Sequence, residues 1–590
     1  MPEIARAFKR RYGRLGDRKG NVAFVLAATR RDVALLALLV AASPFDPAGM
    51  SDNALYRETM PERRMSLETP PPSPAASGER GRRGGRAGKR AGHAAAGIDQ
   101  PPFRQRTLPF QPTALLSDDE LESIHLASLR VLKEIGLDVL HDEARELMKK
   151  AGADVAPGSA RVRFDADMIM EHMAHCPPEF TLHARNPEHN VRFGGNNVIF
   201  SLMASAPNCC DTDSGRRPGN QVDYRNLIKL GQQHNIIQCT GGYPVEPIDI
   251  HPSVRHLECI RDLALLTDKA FHIYSLGKER NLDGIEIARI ARGVSRDQLL
   301  DEPSTFTIIN TNSPLKLDIP MMEGIIQMAG AGQAVIVTPF TLAGAMAPVT
   351  VAGALVEQNS EALAGLAFAQ MVRKGTPVGY GGFTSNVDMK SGAPAFGTPE
   401  YMKAQLVGGQ LARRYKVPYR TSNVCAANTV DAQAAYESVF SLWGAIQGGG
   451  NLLMHGAGWL EGGLQCSYEK LMLDIELLQM VAEFLTPLDL SEDALGIEAM
   501  RQVGPGGHFF GTPHTQSRYK TAFYAPIISD WRNYENWQLA GSPTAIERAN
   551  TLWKERLAAY EKPPIDPAIE EELNDFVDRR IAEGGAPTDF

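Results

Sequence analysis

From residue 198 onwards, short apolar runs alternate with longer stretches in which apolar residues recur every three or four positions. The short runs, bounded by glycine, proline and asparagine, are typical of buried strands, and the longer stretches are typical of amphipathic helices. The pattern predicts eight strands, at 198–204, 237–243, 271–276, 305–310, 334–339, 378–383, 417–424 and 452–457. Eight strand–helix units in succession predict an α/β fold in which the strands close into a TIM (β/α)8 barrel.

The unit at 417–459 shows the pattern most clearly. A strand at 417–424 is followed by Val439, Leu442, Trp443 and Ile446, which lie on one face of a helix. Three glycines at 448–450 end that helix, and the next strand begins at 452. An open sheet that binds a dinucleotide is the structural alternative. The open sheet is disfavoured because the Gly-Ala-Gly turn at 330–332 precedes a strand, whereas a dinucleotide-binding turn follows one.

The regions on either side of the barrel have different compositions. Residues 1–105 are rich in proline, glycine, alanine and arginine, which predicts a disordered extension. Within it, Met50-Ser-Asp resembles an ordinary protein start, so residues 1–49 are expected to be an over-long reading frame. Residues 106–195 predict a helical and hairpin subdomain, 196–487 the barrel domain, and 488–590 an irregular C-terminal extension that packs on the barrel.

Composition and charge narrow the class of protein. The apolar share of 43% suffices for a large core, and a net charge of −8 argues against a nucleic-acid partner. The seven cysteines contain no Cys-x-x-Cys pair, which predicts reduced thiols in the cytoplasm. The apolar run at 33–42 is too short to span a membrane and lacks a convincing cleavage site, so we expect neither a membrane anchor nor export.

The side chains at or just past the predicted strand ends indicate the chemistry, because ligands bind there in parallel α/β folds. They are Tyr243, Tyr274, Asn310, Asn312, Thr338, Phe340, Tyr380, Phe383, Asn423, Cys425, His455 and Trp459. The set is rich in aromatic rings and contains no lysine or arginine. Ring faces attract a cation that cannot donate hydrogen bonds, such as a quaternary ammonium, by about 0.5–2 kcal/mol per contact. Cys425 and His455 could instead approach each other and bind zinc, but no third ligand has a regular spacing.

Several motifs resemble the trimethylamine methyltransferase family, and the resemblance covers residues 109–559. Two long runs carry most of it, Thr429-Val-Asp-Ala-Gln-Ala-Ala-Tyr-Glu437 and Val503-Gly-Pro-Gly-Gly-His-Phe-Phe-Gly-Thr-Pro-His-Thr515. Leu116-Ser-Asp-Asp-Glu-Leu and Leu129-Arg-Val-Leu add weaker support. The resemblance implies a barrel that moves a methyl group from an amine to the cobalt of a separate corrinoid protein.

The corrinoid is not expected on this chain, so no tightly bound cofactor is assigned. The cobalt-binding signature Asp-x-His-x-x-Gly fails at Asp249-Ile-His251, which is followed by Pro-Ser-Val. The archaeal trimethylamine enzymes of the family use pyrrolysine, and this chain contains only standard residues. The resemblance therefore implies a quaternary substrate, such as glycine betaine, which already carries a good leaving group. A homo-oligomer is expected.

The sequence then assigns site residues. Phe340, Tyr380, Phe383 and Trp459 are expected to surround the ammonium, and Asn423, Gln433 and His455 to hold or orient the polar end of the substrate. His508 and His514 are candidates for docking the partner, and no catalytic residue or metal ligand is assigned. Two other functions stay open, a zinc-dependent barrel enzyme that uses Cys425 and His455, and a betaine-binding protein without catalysis.

Overall fold

Eight parallel strands close into a barrel in a computed structural model of the chain, which describes residues 100–588. Strands β1–β8 are Asn197–Leu202, Cys239–Thr240, Ala270–His272, Thr305–Ile309, Ala334–Val337, Val378–Gly381, Tyr419–Ser422 and Leu452–Ala457. Closure is made by β8 and β1, where Leu452 pairs with Ile199 and Leu453 with Phe200. Each predicted strand coincides with one of the eight, so the predicted TIM barrel is confirmed.

One helix follows each strand and covers the outside of the barrel. Helices α1–α8 are Gln221–Gln233, Pro252–Leu266, Lys278–Arg292, Ile319–Gly330, Val351–Val372, Pro399–Tyr415, Ala432–Gln447 and Tyr468–Phe484. Side-chain caps set several helix starts; Asp431, for example, accepts hydrogen bonds from the backbone N–H groups of Gln433 and Ala434 at the start of α7. A further short helix, Arg296–Asp301, lies between α3 and β4.

The region before the barrel contains a small layer of helices and strands. Its helices are Asp118–Arg130, which runs on into a π-helix at Val131–Ile135, then Asp142–Lys150, Ala166–Met173 and the 3-10 turn Pro187–His189. Its strands are Arg106–Thr107, Leu137–Val139, Asp154–Val155, Arg161–Arg163, Glu179–Leu182 and Val191–Gly194. Ser117 and Glu120 form a capping box at the start of Asp118–Arg130. Two of these helices, Asp118–Arg130 and Ala166–Met173, pack on α5, which explains why most of α5 is buried.

The hairpin of Glu179–Leu182 and Val191–Gly194 closes the amino end of the barrel. Its apolar side chains, including Leu182 and Phe193, share one core cluster with Ile199 of β1 and Phe306 of β4. The end of the barrel opposite the expected ligand site is therefore filled with packed side chains.

Residues 100–105 are ordered, which corrects the expectation that the disordered extension runs to residue 105. The Gln100 side-chain amide donates to the Gln233 carbonyl at 2.6 Å. Gln105 bonds both backbone groups of Arg192, so this segment is fastened beside the hairpin. The rest of the expected disordered extension, residues 1–99, lies outside the described residues.

Two accessory sheets stand at the carboxyl end of the barrel, where the ligand site is expected. One contains Leu342–Ala343, Ser385–Val387 and Pro394–Ala395, from the loops after β5 and β6. The other contains Asn208–Asp211, Gly215–Pro218, Trp459–Leu460 and Gln465–Ser467, from the loops after β1 and β8. A strand at Lys316–Leu317 pairs with Leu137–Val139, and a 3-10 turn spans Glu461–Gly463.

The C-terminal extension packs on the barrel through its last two helices. Ala545–Ala558 lies against α8 and α1, and Pro567–Ala582 lies against α2 and α3. Before them come four short helices, Glu492–Leu495, Ile497–Val503, Pro513–Arg518 and Tyr534–Leu539. That earlier part leaves large apolar side chains exposed, among them Leu488, Phe510 and Phe523. Within residues 100–588, none of the helices is long and apolar enough to cross a membrane.

Candidate active site

A cavity of about 330 Å³ opens at the carboxyl end of the barrel strands. This is the end where (β/α)8 enzymes bind their ligands. Its lining comes from β3, β4, β7, β8 and the loops that follow the strands. The larger lining side chains are His272, Tyr274, Asn310, Met321, Thr338, Phe340, Phe383, Arg420, Met454, His455 and Trp459.

Three aromatic rings form one wall of the cavity. Phe340 follows β5, Phe383 follows β6 and Trp459 follows β8. The centroids of Phe340 and Phe383 lie 5.1 Å apart, and those of Phe383 and Trp459 lie 6.4 Å apart. Phe396, from the accessory sheet region, packs behind them with its centroid 5.5 Å from Trp459. The rings meet because β5 and β6 are neighbours and only β7 separates β6 from β8, so the residues that follow these strands lie on the same side of the barrel mouth.

His455 extends this wall from within β8. The backbone φ of His455 is +54°, in the left-handed region that residues other than glycine rarely adopt. The pairing of β8 with β1 shifts register between Leu453 and Ala457. The ring stacks on Trp459 at 5.0 Å, and Nδ1 lies 3.2 Å from Ser422 Oγ. Burial, together with the charge of Arg420, lowers the pKa of His455 well below its ordinary value, so the imidazole is neutral near pH 7.

His272 lines the opposite wall as a neutral ring in one tautomer. Its Nε2 accepts the backbone N–H of Ile308 at 3.0 Å, so the proton lies on Nδ1. That Nδ1 is buried and has no hydrogen-bond partner. Burial lowers the pKa of His272 to about 3, with a smaller contribution from Arg420. Beside it, the Tyr274 hydroxyl lies 2.6 Å from Ser205 Oγ.

Arg420, on β7, places a buried cation in the same cavity. Its relative exposure is only 4%, and its Nε and Nη1 have no hydrogen-bond partner. The guanidinium carbon lies 5.1 Å from the Phe383 ring centroid. Burial lowers the pKa of Arg420 to about 10, which leaves the group charged near pH 7. None of the residues lining the cavity is an aspartate or a glutamate.

The sequence indicated a ligand site without lysine or arginine, and Arg420 shows that this is wrong for the cavity. The side chains at or just past the predicted strand ends do not include these two residues, because Arg420 lies within β7 and His272 is the last residue of β3. One signal was present in the sequence. A charged residue inside a strand that is otherwise buried needs a reason, because arginine is seldom buried without a partner.

The cavity brings together Phe340, Phe383, His455 and Trp459 of the seven expected substrate residues. Tyr380 is buried behind the barrel wall, where its hydroxyl donates to Asn359 Oδ1 at 3.2 Å. It lies outside the cavity because alternate residues of a strand point to opposite faces.

Asn423 and Gln433 also lie outside the cavity lining. The Asn423 amide donates to the Gly456 carbonyl at 3.0 Å, so it fastens β8 beside the site. The Gln433 amide, in the first turn of α7, donates to Glu437 Oε1 at 2.8 Å. Asn423 and Gln433, like Tyr380, are therefore not among the residues that the cavity brings together.

His508 and His514 lie far along the sequence on the C-terminal extension, and neither lines the cavity. His514 lies in the short helix Pro513–Arg518, and its Nε2 is 3.1 Å from the Asp493 carbonyl oxygen. His508 contacts Phe510, with 6.0 Å between the ring centroids.

The surroundings of Cys425 disfavour the zinc site that the sequence left open. Cys425 is buried in an apolar cluster with Leu460 and Ala434, and burial raises the pKa of its thiol to about 12. Zinc binds the thiolate, which this surrounding disfavours. No group of three or more potential metal ligands occurs among residues 100–588.

Comparison with known proteins supports the motif resemblance. The model of the trimethylamine methyltransferase family matches residues 82–585. A glycine betaine methyltransferase of Desulfitobacterium hafniense strain Y51 is 37% identical over 472 residues, which cover 80% of this chain and 98% of the relative. A trimethylamine methyltransferase from another strain of that species is 28% identical over 477 residues, covering 80% of this chain and 94% of the relative.

A solved structure of the monomethylamine methyltransferase from Methanosarcina barkeri is 11% identical, with a TM-score of 0.39, and the match covers 77% of this chain and 96% of that one. The trimethylamine methyltransferase of the same organism is 26% identical over 480 residues, which cover 79% of this chain and 94% of the relative. Because the family match extends over most of the sequence, the chain belongs to the trimethylamine methyltransferase family and is a methyltransferase.

Proposed function

We propose that this methyltransferase moves a methyl group from a quaternary amine related to glycine betaine to the cobalt of a corrinoid held by a separate protein. The observation that carries the proposal is the wall of Phe340, Phe383 and Trp459 on a small cavity without acidic residues at the barrel mouth. The 37% identity to a glycine betaine methyltransferase supports the same substrate class.

The ring faces suit an onium group because it has no N–H to donate. The negative face of each ring attracts the positive methyl groups, while an acidic residue would favour an amine that can donate hydrogen bonds. His455 stacks on Trp459 as a neutral ring and so adds no competing charge.

The reaction needs positioning more than acid–base chemistry. The Co(I) corrinoid supplies the electron pair for the new bond to the methyl carbon, and the electrons of the broken C–N bond stay on the nitrogen. The leaving group is then a neutral tertiary amine, which needs no proton. The rings of this chain hold the nitrogen and direct one methyl group towards the open mouth, which places the reacting atoms in line.

A separate carrier for the corrinoid fits the size of the site. The cavity of about 330 Å³ suits a small amine but not a corrin macrocycle. The barrel rim carries exposed apolar side chains on several loops, including Leu276, Val349 and Met389. We propose this rim as the docking face for the carrier protein, and His508 and His514 stay candidates for a further contact.

Self-association and a cytoplasmic location are part of the same proposal. Tyr436, Val439 and Trp443 are exposed on α7 beside Phe484 of α8, which supports an interface with a second copy. Sedimentation of the purified protein would measure its mass, and a monomer would contradict this. All seven cysteines are free thiols, which suits the reducing cytoplasm, and cell fractionation tests that location.

The experiment is methyl transfer to free Co(I) cobalamin from glycine betaine, proline betaine, carnitine and trimethylamine. We expect methylcobalamin, followed by absorbance, from at least one of the quaternary amines. A folded protein that transfers from none of them rejects the proposal. Binding of a betaine without transfer, even with the corrinoid protein present, would favour a non-catalytic role. Stoichiometric zinc would favour the zinc-dependent alternative.

A further inference from the structure

We propose that Arg420 determines specificity by binding a carboxylate of the substrate, so that the cavity selects zwitterionic quaternary amines over simple cations. This inference rests on the proposed function, because it names the second charge of the same ligand. It assigns a role to a residue that the aromatic wall does not explain.

Arg420 has no carboxylate partner among the described residues. Burying a guanidinium without a counter-charge is costly, so buried arginines are normally paired. Arg420 is almost fully buried, yet none of the carboxylates described in residues 100–588 forms an ion pair with it. The guanidinium carbon lies 5.1 Å from the centroid of the Phe383 ring, which carries no charge. The cavity therefore leaves room for one anion beside the guanidinium.

Among the residues that line the cavity, the buried polar atoms without a partner can all donate hydrogen bonds. They are Nε and Nη1 of Arg420, Nδ1 of His272 and Oγ1 of Thr338, all buried and without a partner. His272 must donate through Nδ1, because its Nε2 already accepts from Ile308. An ionised carboxylate only accepts hydrogen bonds, so it complements these donors better than an ammonium or an amide does.

A ligand that carries only a positive charge would be repelled by Arg420. Arg420 lies in contact with Phe383, one of the rings expected to hold the ammonium. In a buried site, repulsion between the two cations is weakly screened. A zwitterion offsets that repulsion, since its carboxylate faces the arginine while its ammonium faces the rings.

A purely structural role is the alternative, and the hydroxyls near Arg420 bear on it. The Tyr401 hydroxyl donates to the Ser422 carbonyl and the Tyr419 hydroxyl to the Gln405 carbonyl. These bonds do not involve the guanidinium. If Arg420 had only a structural role, replacing it could destabilise the fold. It would not change the preference of the protein for betaine over an uncharged analogue.

The test is ligand binding without the corrinoid protein, measured by calorimetry and by thermal shift. The probes are glycine betaine and its amide, which has the same skeleton but lacks the negative charge. We expect the wild-type protein to bind glycine betaine at least about 30-fold more tightly than the amide. Arg420→Met should abolish that preference by weakening betaine binding while leaving amide binding equal or stronger.

Two further variants keep the outcome clear. Arg420→Lys retains the charge without the planar fork, so we expect betaine binding about tenfold weaker than wild type, with amide binding unchanged. This variant decides the matter if Arg420→Met does not fold. Thr338→Val removes one neutral donor, and we expect it to weaken betaine binding less than either arginine substitution.

Equal losses for betaine and amide, or unchanged betaine binding in Arg420→Met, would overturn the inference. These results are separate from those that test the proposed function. A protein that binds betaine through Arg420 but transfers no methyl group would reject the methyl transfer and keep the carboxylate site. Transfer that does not discriminate between betaine and choline would keep the reaction and reject the site.

Discussion

At the scale of single residues, some aromatic rings line the cavity and others pack behind them. Phe340 and Phe396 are both phenylalanines in one aromatic cluster, with centroids 6.5 Å apart. Only Phe340 lines the cavity, whereas Phe396 is fully buried behind Phe383. Removing either ring costs packing, but only one of them is placed to attract a cation.

We expect Phe340→Leu to raise the dissociation constant of the quaternary amine by about 2- to 30-fold, since one ring face is worth about 0.5–2 kcal/mol. Phe396→Leu is the matched control, and it should lower the unfolding midpoint without changing affinity. Titration calorimetry on both variants measures this. A comparable loss of affinity in the two would show that packing, not ring attraction, sets binding.

At the scale of elements, the end of β8 is held by helix α8. Lys470 and Asp474 lie one turn apart on α8 and form a fully buried ion pair. The Asp474 carboxylate also accepts the backbone N–H of Gly458 at 2.8 Å, and the Lys470 ammonium donates to Ser438 Oγ of α7 at 2.7 Å. The pair thus fixes the backbone next to Trp459.

Asp474→Asn should lower the free energy of unfolding by about 3–5 kcal/mol, because it leaves the Lys470 ammonium buried without its counter-charge. The double variant Lys470→Met with Asp474→Leu should recover most of that loss. Urea denaturation followed by circular dichroism gives both values.

The control for that prediction is the exposed pair of the same spacing, Arg130 and Glu134. Glu134→Gln should leave the denaturation midpoint unchanged, because solvent already screens this pair. An Asp474→Asn variant as stable as wild type would mean that the buried pair does not hold the two helices.

At the scale of the whole molecule, several histidines are buried in their neutral form. Burial lowers the pKa of His234 to about 4 and of His272 to about 3, and it lowers the pKa of His455 as well. All three are buried in the barrel domain, so the native fold keeps them neutral at pH values where the unfolded chain already binds a proton. In the unfolded chain a histidine takes up its proton near pH 6.5.

Stability should therefore fall as the pH is lowered from about 6.5 towards 4. In that window the unfolded chain binds more protons than the native protein, and each buried histidine removes about 1.4 kcal/mol per pH unit. Above pH 6.5 these groups are neutral in both states and have no effect. Urea denaturation at a series of pH values measures the slope.

His234→Gln should reduce the slope of unfolding free energy against pH by about 1.4 kcal/mol per pH unit, since glutamine does not titrate. His508→Gln changes an exposed histidine of the C-terminal extension and should leave the slope as it is. If the two variants gave equal slopes, the acid sensitivity would have to come from other groups.

The sequence by itself determined the barrel and its family. Strands that are buried on both faces must be apolar throughout, and the helices that cover them must be apolar on one face. Local sequence patterns therefore indicate the eight strand–helix units. The same patterns indicated where strands end, and Phe340, Phe383, His455 and Trp459, selected on that basis, line the cavity.

Only the tertiary structure decided which polar groups share the cavity. Tyr380 could face either the cavity or the surrounding helices, depending on which face of β6 it occupies. Closure of the barrel fixes which face of β6 points inwards. Arg420, His272 and Thr338 come from three different strands or strand ends, and no local pattern shows that their donors lack partners. Burial and pairing are properties of residues brought together by the fold, because each is decided by neighbours that are distant in the chain.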